Sequence, residues 1–323
     1  MSTPSFTDRT VEAFWGLVNP WLFLQLSASY LPRTIRQLFA THSFFSALHI
    51  LFFSPSRFRE LWFGNFWAFA GPQVREGAAP KVLPLLDGRT SQGRILQTPA
   101  GPGVGGVVIE IGAGSGLWVE VFSDKYLYED FDAAKKPALL KKRADTAREK
   151  ITRVYGVEPN PAHHPALRRA VEAAGLQGVY EIVPVGIEDL CSSSSSSSSE
   201  NGGKKKKWDG NIEPASIDCI VSVLCLCSIP DPQRHIHELY ELLRPGGRWY
   251  VYEHVKAKYS WYIRLYQRVI NVFWPRFIGG CELCRPTEKT IRETGPWTKI
   301  DVGRPVDEMW FGTVPHILGV FTK

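Results

Sequence analysis

Apolar residues follow two different patterns along the 323-residue chain. Near the start they form long stretches with almost no charge, since residues 11–31 contain only Glu12 and residues 37–56 contain no Asp, Glu, Lys or Arg. Beyond Gly71-Pro72, short apolar runs alternate with amphipathic segments, which is typical of buried strands covered by helices. We therefore predict a hydrophobic helical segment over residues 1–75 and an α/β domain over residues 76–323.

Five apolar runs in the second region predict buried strands. They cover residues 107–111, 151–158, 180–185, 217–226 and 248–253. Helical patterns over 165–174 and 234–243 lie between them, and this alternation predicts a doubly wound, mostly parallel Rossmann-like sheet. Two segments interrupt the pattern, a charged one at about 123–150 and a serine- and lysine-rich one at about 191–210. Neither can build a core, so we expect both to be surface insertions.

The hydrophobic N-terminal segment approaches the roughly 20 apolar residues that a membrane span requires. Polar positions such as Asn19-Pro20 and Gln25 dilute it, and its indoles, such as Trp15 and Trp21, match the preference of tryptophan for membrane interfaces. We therefore predict a monotopic anchor or shallow hairpin that associates with a membrane surface. A helical lid packed on the α/β domain is the alternative, because buried helices are equally apolar.

Charge and cysteine content exclude several kinds of function. The net charge is +6, but the basic clusters 141–143 and 204–207 lie in the two interrupting segments rather than on a folded face with aromatic residues, so we expect no nucleic-acid partner. The six cysteines do not indicate a disulfide framework. Cys281 and Cys284 have CxxC spacing, but no second cysteine pair completes a zinc site, so we predict no metal.

A glycine-rich turn follows the first predicted strand, in the sequence Glu110-Ile111-Gly112-Ala113-Gly114-Ser115-Gly116. Glycine lets the backbone approach a ligand closely because it has no Cβ. The turn lacks the Gly-Lys-Ser/Thr ending of a P-loop, and its third glycine comes one residue too early for the dinucleotide fingerprint. It instead resembles the first motif of class I methyltransferases, which implies S-adenosylmethionine as cofactor. The predicted cofactor ligands here are Glu110, Gly112, Ala113, Gly114 and Gly116.

Further cofactor ligands are predicted at the ends of the next strands. A carboxylate at the end of the second strand, Glu158 before Pro159, is placed to accept hydrogen bonds from both ribose hydroxyls of a nucleoside. After the third strand, Gly186 and Ile187 resemble the segment that covers adenine, although Gly186 stands where an acidic residue often reads the adenine amino group. Leu224, near the end of the fourth strand, completes the predicted set.

Motifs over most of the chain resemble the methyltransferase-like 7 family. The matching segments are Phe63-Gly64-Asn65-Phe66-Trp67-Ala68-Phe69-Ala70-Gly71-Pro72, Cys225-Leu226-Cys227-Ser228, Leu243-Arg244-Pro245-Gly246-Gly247, Glu253-His254-Val255, Gly280-Cys281-Glu282-Leu283-Cys284-Arg285 and Pro315-His316-Ile317-Leu318-Gly319. The resemblance implies methyl transfer to a small thiol. It also implies a hydrophobic anchor on the cytoplasmic face of the endoplasmic reticulum or of a lipid droplet. The partners it implies are therefore a small-molecule methyl acceptor and a membrane surface.

The candidate catalytic residues are fewer, because the methyl group of a sulfonium is already electrophilic. A thiol, phenol or amine acceptor benefits from a base, and His254 at the carboxyl end of the fifth strand is our first choice. Glu253, Cys281 and, less directly, His316 are further candidates. A capping role for His254, an O- or N-methyltransferase of a fungal secondary-metabolite pathway and a non-catalytic membrane adaptor that keeps the fold remain open alternatives.

Overall fold

The structure is a computed structural model that describes residues 6–123, 149–190, 208–309 and 311–323. Almost all of the two predicted insertions lies outside these residues. The helices of the described chain are α1 (Phe6–Ser29), α2 (Leu31–Thr41), α3 (Phe44–Phe53), α4 (Pro55–Leu86), α5 (His164–Ala173), α6 (Pro232–Leu242), α7 (Trp261–Asn271), α8 (Trp274–Phe277) and α9 (Thr287–Glu293). Short 3-10 turns lie at Val119–Phe122 and Ile187–Asp189.

A seven-stranded sheet forms the centre of the molecule, in the order β5-β4-β3-β6-β7-β9-β8. Neighbouring strands from β5 to β7 are parallel, whereas β9 runs antiparallel to both β7 and β8. The strands of this sheet are β3 (Gly106–Ile111), β4 (Ile151–Val157), β5 (Tyr180–Val183), β6 (Ile217–Val223), β7 (Leu243–His254), β8 (Lys299–Gly303) and β9 (His316–Thr322). Before it, β1 (Thr90–Ser91) and β2 (Arg94–Ile95) form a small hairpin. The predicted doubly wound, mostly parallel fold is confirmed.

The five predicted strands are all present, although the bounds of some of them differ from the prediction. Strand β6 stops at Val223, because Leu224 takes a left-handed conformation with φ of 54° and turns the chain. Strand β7 begins at Leu243, so it also includes the segment Leu243-Arg244-Pro245-Gly246-Gly247, which precedes the predicted strand over 248–253. Strands β8 and β9 were not predicted, since their pairing joins segments that no local pattern connects. The helices predicted over 165–174 and 234–243 correspond to α5 and α6.

Alternate side chains of the central strands enter two separate apolar layers. On one face Val108, Val154 and Tyr250 pack with the C-terminal part of α4. On the other face Ile109, Ile220 and Val251 pack with α6. Because β3 lies between parallel neighbours, it is buried on both faces, which explains its nearly continuous apolar sequence.

Helix α4 connects the N-terminal segment to the α/β domain. It runs for 32 residues through Gly71-Pro72 and through the predicted boundary at 75–76. Its first half buries Phe66 against Leu24 of α1 and the region around α8, and its second half buries Leu85 beneath the sheet. Fully burying a side chain of the size of phenylalanine contributes roughly 1.5–3 kcal/mol. The N-terminal helices therefore share a packed core with the rest of the chain.

None of the helices within the described residues combines the length and the apolarity that crossing a membrane would require.

Candidate active site

A cavity of about 740 Å³ opens at the carboxyl ends of β3, β4, β6 and β7. Its floor is formed by loops that follow these strands, and side chains of α1, α4 and α8 close it from above. In doubly wound sheets this edge is where ligands bind, because the loops diverge there. The cavity lies within the size range of small-molecule sites, which is roughly 300–1,000 Å³.

The glycine loop forms one end of the cavity. Gly112 and Gly114 line it and have φ values of 71° and 55°, which favour glycine. A Cβ on Gly112 would lie 2.7 Å from the Cβ of Cys225, so a larger residue would displace the loop after β6. The amides of Gly112 and Ala113 donate to the carbonyl oxygen of Val157, which fixes the loop to the end of β4.

Glu158 stands beside this loop, and its carboxylate is nearly buried, with 7% of the residue exposed. Its Oε2 accepts a hydrogen bond from the amide of Gly114 at 2.8 Å, and its Oε1 accepts one from the amide of Asn160 at 2.8 Å. Burial raises the pKa of Glu158 to about 7, although both backbone hydrogen bonds lower it. Each carboxylate oxygen has a second lone pair, so the group can also accept hydroxyl hydrogens of a ribose.

Most of the predicted cofactor ligands line the cavity together. They are Gly112, Ala113, Gly114, Glu158, Pro159, Gly186, Ile187 and Leu224. The buried Ile187 and the left-handed Leu224 provide apolar walls, as the covering of a purine ring requires. This arrangement of an acidic group, close backbone and two apolar walls fits a nucleoside cofactor.

Glu110 and Gly116 have other positions. Glu110 is buried away from the cavity wall, and its Oε2 accepts a hydrogen bond from the Tyr180 hydroxyl at 2.5 Å. Burial raises the pKa of Glu110 to about 7. Gly116 instead allows the loop to pack on α5, because a Cβ there would lie 2.6 Å from the Cβ of Ala170. Both residues support the loop from behind rather than lining the cavity.

Glu188 occupies the space that the missing side chain of Gly186 leaves. Its Oε2 lies 2.4 Å from the position that a Cβ on Gly186 would take. Both residues line the cavity beside Ile187. Position 186 has no carboxylate, but the carboxylate of Glu188 occupies the place where a side chain of residue 186 would lie. Glu188 was not among the predicted ligands. It could have been found, because it is an acidic residue only two positions after Gly186, where an acidic residue is expected.

Glu253 organises the loop that follows β6. It is fully buried, and its carboxylate accepts hydrogen bonds from the amides of Cys225 and Leu226 at 3.1 and 3.2 Å. Burial raises the pKa of Glu253 to about 7. It is not part of the cavity wall, so its contacts assign it a positioning role, whereas its neighbour His254 does line the cavity.

Another part of the cavity wall is formed by Cys227, His254 and Cys281, which are all buried. His254 Nε2 lies 3.0 Å from Cys281 Sγ, and Trp274 Nε1–H donates to the same sulfur at 3.0 Å. The buried His254 Nδ1 has no hydrogen-bond partner in the described part of the chain. A hydrogen bond with Cys281, together with burial, raises the pKa of the Cys227 thiol well above its usual range. We call these three residues the Cys-His cluster.

His316 lies beside the Cys-His cluster and also lines the cavity. Its Nδ1 is 2.5 Å from Glu308 Oε1, and Glu308 Oε2 accepts a hydrogen bond from the His316 amide at 2.9 Å. The His316 ring stacks on Tyr252, with ring centres 4.9 Å apart. These contacts fix the ring, so only its Nε2 is left for a ligand. Glu308 was not predicted, because it is eight residues away in an irregular segment.

Side chains of the N-terminal helices complete the cavity, which the sequence patterns did not predict. Phe23 of α1 and Phe63 and Trp67 of α4 line it. Phe63 and Trp67 stack with ring centres 5.3 Å apart. The segment predicted to associate with a membrane therefore also packs over the cavity, as the alternative interpretation of a helical lid requires.

A family described as "Methyltransferase domain" matches residues 86–281, which is more than half of the chain. The chain belongs to this methyltransferase domain family. The matched region starts at the end of α4 and ends at Cys281, so it includes the glycine loop, Glu158 and the Cys-His cluster. The N-terminal helices and β9 with His316 lie outside the part that defines this methyltransferase domain.

Curated relatives agree with the resemblance. Human thiol S-methyltransferase TMT1B is 34% identical over 109 residues, which are 33% of this chain and 44% of that protein. Human thiol S-methyltransferase TMT1A is 32% identical over 115 residues, which are 35% of this chain and 46% of that protein. The matches thus span less than half the length of the curated relatives. The resemblance inferred from the motifs is confirmed for this methyltransferase domain.

Solved structures with similar folds have low sequence identity to the chain. The S-adenosylmethionine-dependent methyltransferase SibL has a TM-score of 0.46 and 16% identity, covering 98% of this chain and 76% of its own. A geranyl diphosphate methyltransferase has a TM-score of 0.43 and 13% identity, covering 74% of both chains.

Proposed function

We propose that the protein transfers the methyl group of S-adenosylmethionine to a lipophilic small molecule, with a thiol as the first choice, at a membrane surface. The observation that carries the proposal is the single cavity that joins the glycine loop and Glu158 to the Cys-His cluster. A place for the cofactor and a place for the acceptor in one cavity are what direct transfer between two bound molecules requires.

The cofactor would lie at the end that Glu158 and the glycine loop form. Glu158 would accept hydrogen bonds from the ribose, Ile187 and Leu224 would cover the adenine, and Glu188 would accept from its amino group. When bound, S-adenosylmethionine supplies an electrophilic methyl group on a positively charged sulfur. The apolar side chains that form much of the cavity lining would limit water around the transferred group and so favour transfer to a bound acceptor.

The acceptor would lie against the Cys-His cluster. His254 lines this part of the cavity, so its imidazole is the first candidate to accept the proton of a bound thiol. His316, fixed by Glu308, is a second imidazole on the same wall. Phe23, Phe63 and Trp67 line the same cavity with aromatic surface, which favours an apolar acceptor over a hydrophilic one.

The membrane part of the proposal is supported by exposed apolar side chains of two adjacent helices. Trp15 and Leu22 of α1 and Trp261 and Leu265 of α7 are exposed, with 69% of Trp261 accessible. The two helices contact each other, since Trp21 Nε1–H donates to the Tyr266 hydroxyl at 2.7 Å. Apolar surface of this extent is rare on proteins that have no partner for it.

Helix α3 adds a second exposed apolar region, and arginines lie near both. Phe45, Phe52 and Phe53 of α3 are between 68% and 82% exposed. Arg57 and Arg59 follow α3, and Arg264 and Arg268 lie on α7, all of them exposed. Aromatic side chains bordered by cations suit the interface of a bilayer with anionic lipids. We propose the cytoplasmic face of the endoplasmic reticulum or of a lipid droplet as the location.

The activity is tested with thiophenol, phenol and aniline, which differ mainly in the nucleophilic atom. The full chain, purified in detergent, is incubated with S-adenosylmethionine carrying a labelled methyl group. Label in methyl phenyl sulfide alone supports thiol methylation. Label only in anisole or N-methylaniline would favour the O- or N-methyltransferase alternative and overturn the thiol assignment. Cofactor binding without transfer to any acceptor would favour the non-catalytic adaptor.

Membrane association is tested separately by sedimentation with vesicles of phosphatidylcholine and phosphatidylserine. Changing Phe45, Phe52 and Phe53 to serine removes three exposed rings without touching the residues that α3 buries. We expect at least about tenfold weaker vesicle binding, because each ring contributes on the order of 1 kcal/mol or more on leaving water. Ile95→Ser, at an exposed apolar position in the β2 hairpin, is the control and should bind as the unaltered chain does. Equal binding of all three proteins would contradict the proposal.

A further inference from the structure

Three side chains with soft metal-binding atoms meet on one wall of the cavity. The ligand atoms of Cys227, His254 and Cys281 all lie within 4.8 Å of one another, and all three residues are buried. They come from separate parts of the fold: the loop after β6, the end of β7 and the loop after α8. No CxxC spacing marks them, since Cys284, the partner of Cys281 in that motif, is not part of the cluster.

The spacing of these atoms is close to that of a tetrahedral metal site. With metal–sulfur bonds near 2.3 Å and metal–nitrogen bonds near 2.0–2.1 Å, neighbouring ligand atoms are roughly 3.6–3.8 Å apart. In this structure His254 Nε2 and Cys281 Sγ are 3.0 Å apart, and no two of the three ligand atoms are more than 4.8 Å apart. These distances lie just below and just above the value for a metal site. Side-chain rotations alone can therefore bring the three atoms around one ion. Two thiolates and a neutral imidazole would also balance the charge of a divalent cation in this buried place.

The surrounding contacts hold the three residues in position. The amide of Glu282 donates to the carbonyl oxygen of Cys227 at 3.0 Å, which ties the two cysteine-bearing loops together. The amide of Leu283 donates to Asn271 Oδ1 at 2.7 Å and fixes the loop of Cys281. Trp274 Nε1–H donates to Cys281 Sγ at 3.0 Å, a hydrogen bond of the kind that supports metal-bound ligands from outside.

We propose that Cys227, His254 and Cys281 bind one zinc ion, with its fourth position open to the cavity. Three protein ligands and one free position are the arrangement of zinc sites that act on a substrate, whereas purely structural sites use four protein ligands. All three residues line the cavity, so the free position faces the place proposed for the acceptor. Zinc is the first choice of metal because cysteine and histidine are its preferred ligands.

The role of the ion rests on the proposed function, which supplies the acceptor. A thiol that enters the fourth position loses its proton to solvent and stays bound as a thiolate. Its sulfur then forms the new bond to the methyl carbon, while the electron pair of the broken bond returns to the sulfur of the cofactor. The products are a thioether and S-adenosylhomocysteine, and no oxidant or reductant is needed. With zinc bound, His254 is a metal ligand and does not act as the base. The thiol instead loses its proton because its sulfur binds the metal.

The first test is the metal content of the full chain, expressed with added zinc, purified in detergent and dialysed against metal-free buffer. We expect about one zinc per chain by mass spectrometry of the metal. Cobalt(II) loaded in place of zinc should give the intense visible bands of a tetrahedral thiolate site. Adding 2-mercaptoethanol should shift those bands if the fourth position is open to a thiol, and unchanged bands would overturn the open position.

Variants identify the ligands. Cys227→Ser and Cys281→Ser should each reduce the zinc content at least about tenfold, because a neutral hydroxyl replaces a thiolate ligand. Cys284→Ser is the matched control from the same loop as Cys281 and should keep its zinc. Binding of S-adenosylmethionine, measured by calorimetry, shows which variants are folded, since the cofactor end is separate from the cluster.

The results separate this proposal from the proposed function. Unaltered protein that binds S-adenosylmethionine and methylates thiophenol, but holds less than about a tenth of a zinc per chain after loading, overturns the zinc site alone. A Cys284→Ser variant that loses zinc as the other two variants do would also overturn the ligand assignment. Zinc bound in the expected ratio without transfer to any acceptor leaves the site in place and instead contradicts the proposed function.

Discussion

The amide of Gly114 donates a hydrogen bond to the carboxylate of Glu158 at 2.8 Å, and this contact joins the glycine loop after β3 to the end of β4. The two residues are 44 positions apart, with a charged segment between them. The contact sets both the shape of the loop and the orientation of the acid. It therefore connects cofactor affinity to the charge of one side chain.

Replacing that charge should weaken cofactor binding strongly. We expect Glu158→Gln to raise the Kd for S-adenosylmethionine about 10- to 100-fold, since hydrogen bonds to a charged group contribute about 1.5–3 kcal/mol. Calorimetry measures the effect, and Glu172→Gln, at an exposed position on α5, is the control of equal chemistry. If both variants bind the cofactor equally well, Glu158 is not a cofactor ligand.

The glycine loop and Glu158 could be predicted because a few consecutive residues are enough to recognise each of them. The turn needs glycine wherever φ is positive, and the acid follows directly after a strand. The Cys-His cluster could not be predicted in this way, because Cys227, His254 and Cys281 are each 27 residues from the next. Only the pairing of β6 with β7, and the contact of the loop after α8 with the loop after β6, bring them together.

The continuity of α4 is a second feature that the sequence pattern does not show. The composition changes after Gly71-Pro72, which suggested a boundary between residues 75 and 76. The structure continues the helix through Pro72, Pro80 and Pro84, because Phe66 on one side and Leu85 on the other are buried in two cores. Tertiary packing outweighs local helix propensity in this case. The same packing places side chains of the predicted anchor segment, such as Phe23 and Phe63, on the cavity wall.

Glu188 should contribute to recognition of the adenine. Because its carboxylate fills the space beside Gly186, we expect Glu188→Ala to raise the Kd for S-adenosylmethionine about three- to tenfold, the loss of one exposed hydrogen bond. A second variant tests the spatial argument directly. Adding Gly186→Asp to Glu188→Ala restores a carboxylate in the vacated space, at a position whose φ of −77° suits any residue. Calorimetry should show recovered affinity in the double variant, and further weakening would contradict this assignment.

The packing of the glycine loop on α5 predicts a loss of stability at Gly116. In Gly116→Ala the new Cβ would meet the Cβ of Ala170 at 2.6 Å, and the backbone has a φ of 86°. We expect the free energy of unfolding to fall by about 2–4 kcal/mol from overpacking and backbone strain together. Gly178→Ala has a similar φ of 81° with nothing within 4 Å of its Cβ, so it isolates the backbone cost of about 1 kcal/mol. Thermal unfolding should show a larger loss of stability for Gly116→Ala than for Gly178→Ala. Equal losses would show that the contact of Gly116 with α5 is unimportant.

The buried Glu110 predicts how stability depends on pH. Burial raises its pKa from 4.5 to about 7, so between these values the folded protein holds a proton that the unfolded chain releases. The stabilisation that the protonated form provides is therefore present below about pH 4.5 and is lost as the pH rises through about 7. Glu110→Gln keeps an acceptor for the Tyr180 hydroxyl but cannot ionise. The difference in melting temperature between this variant and the unaltered chain should grow from pH 5 to pH 8 in favour of the variant. A constant difference over this range would mean that the pKa of Glu110 is not raised in the folded protein.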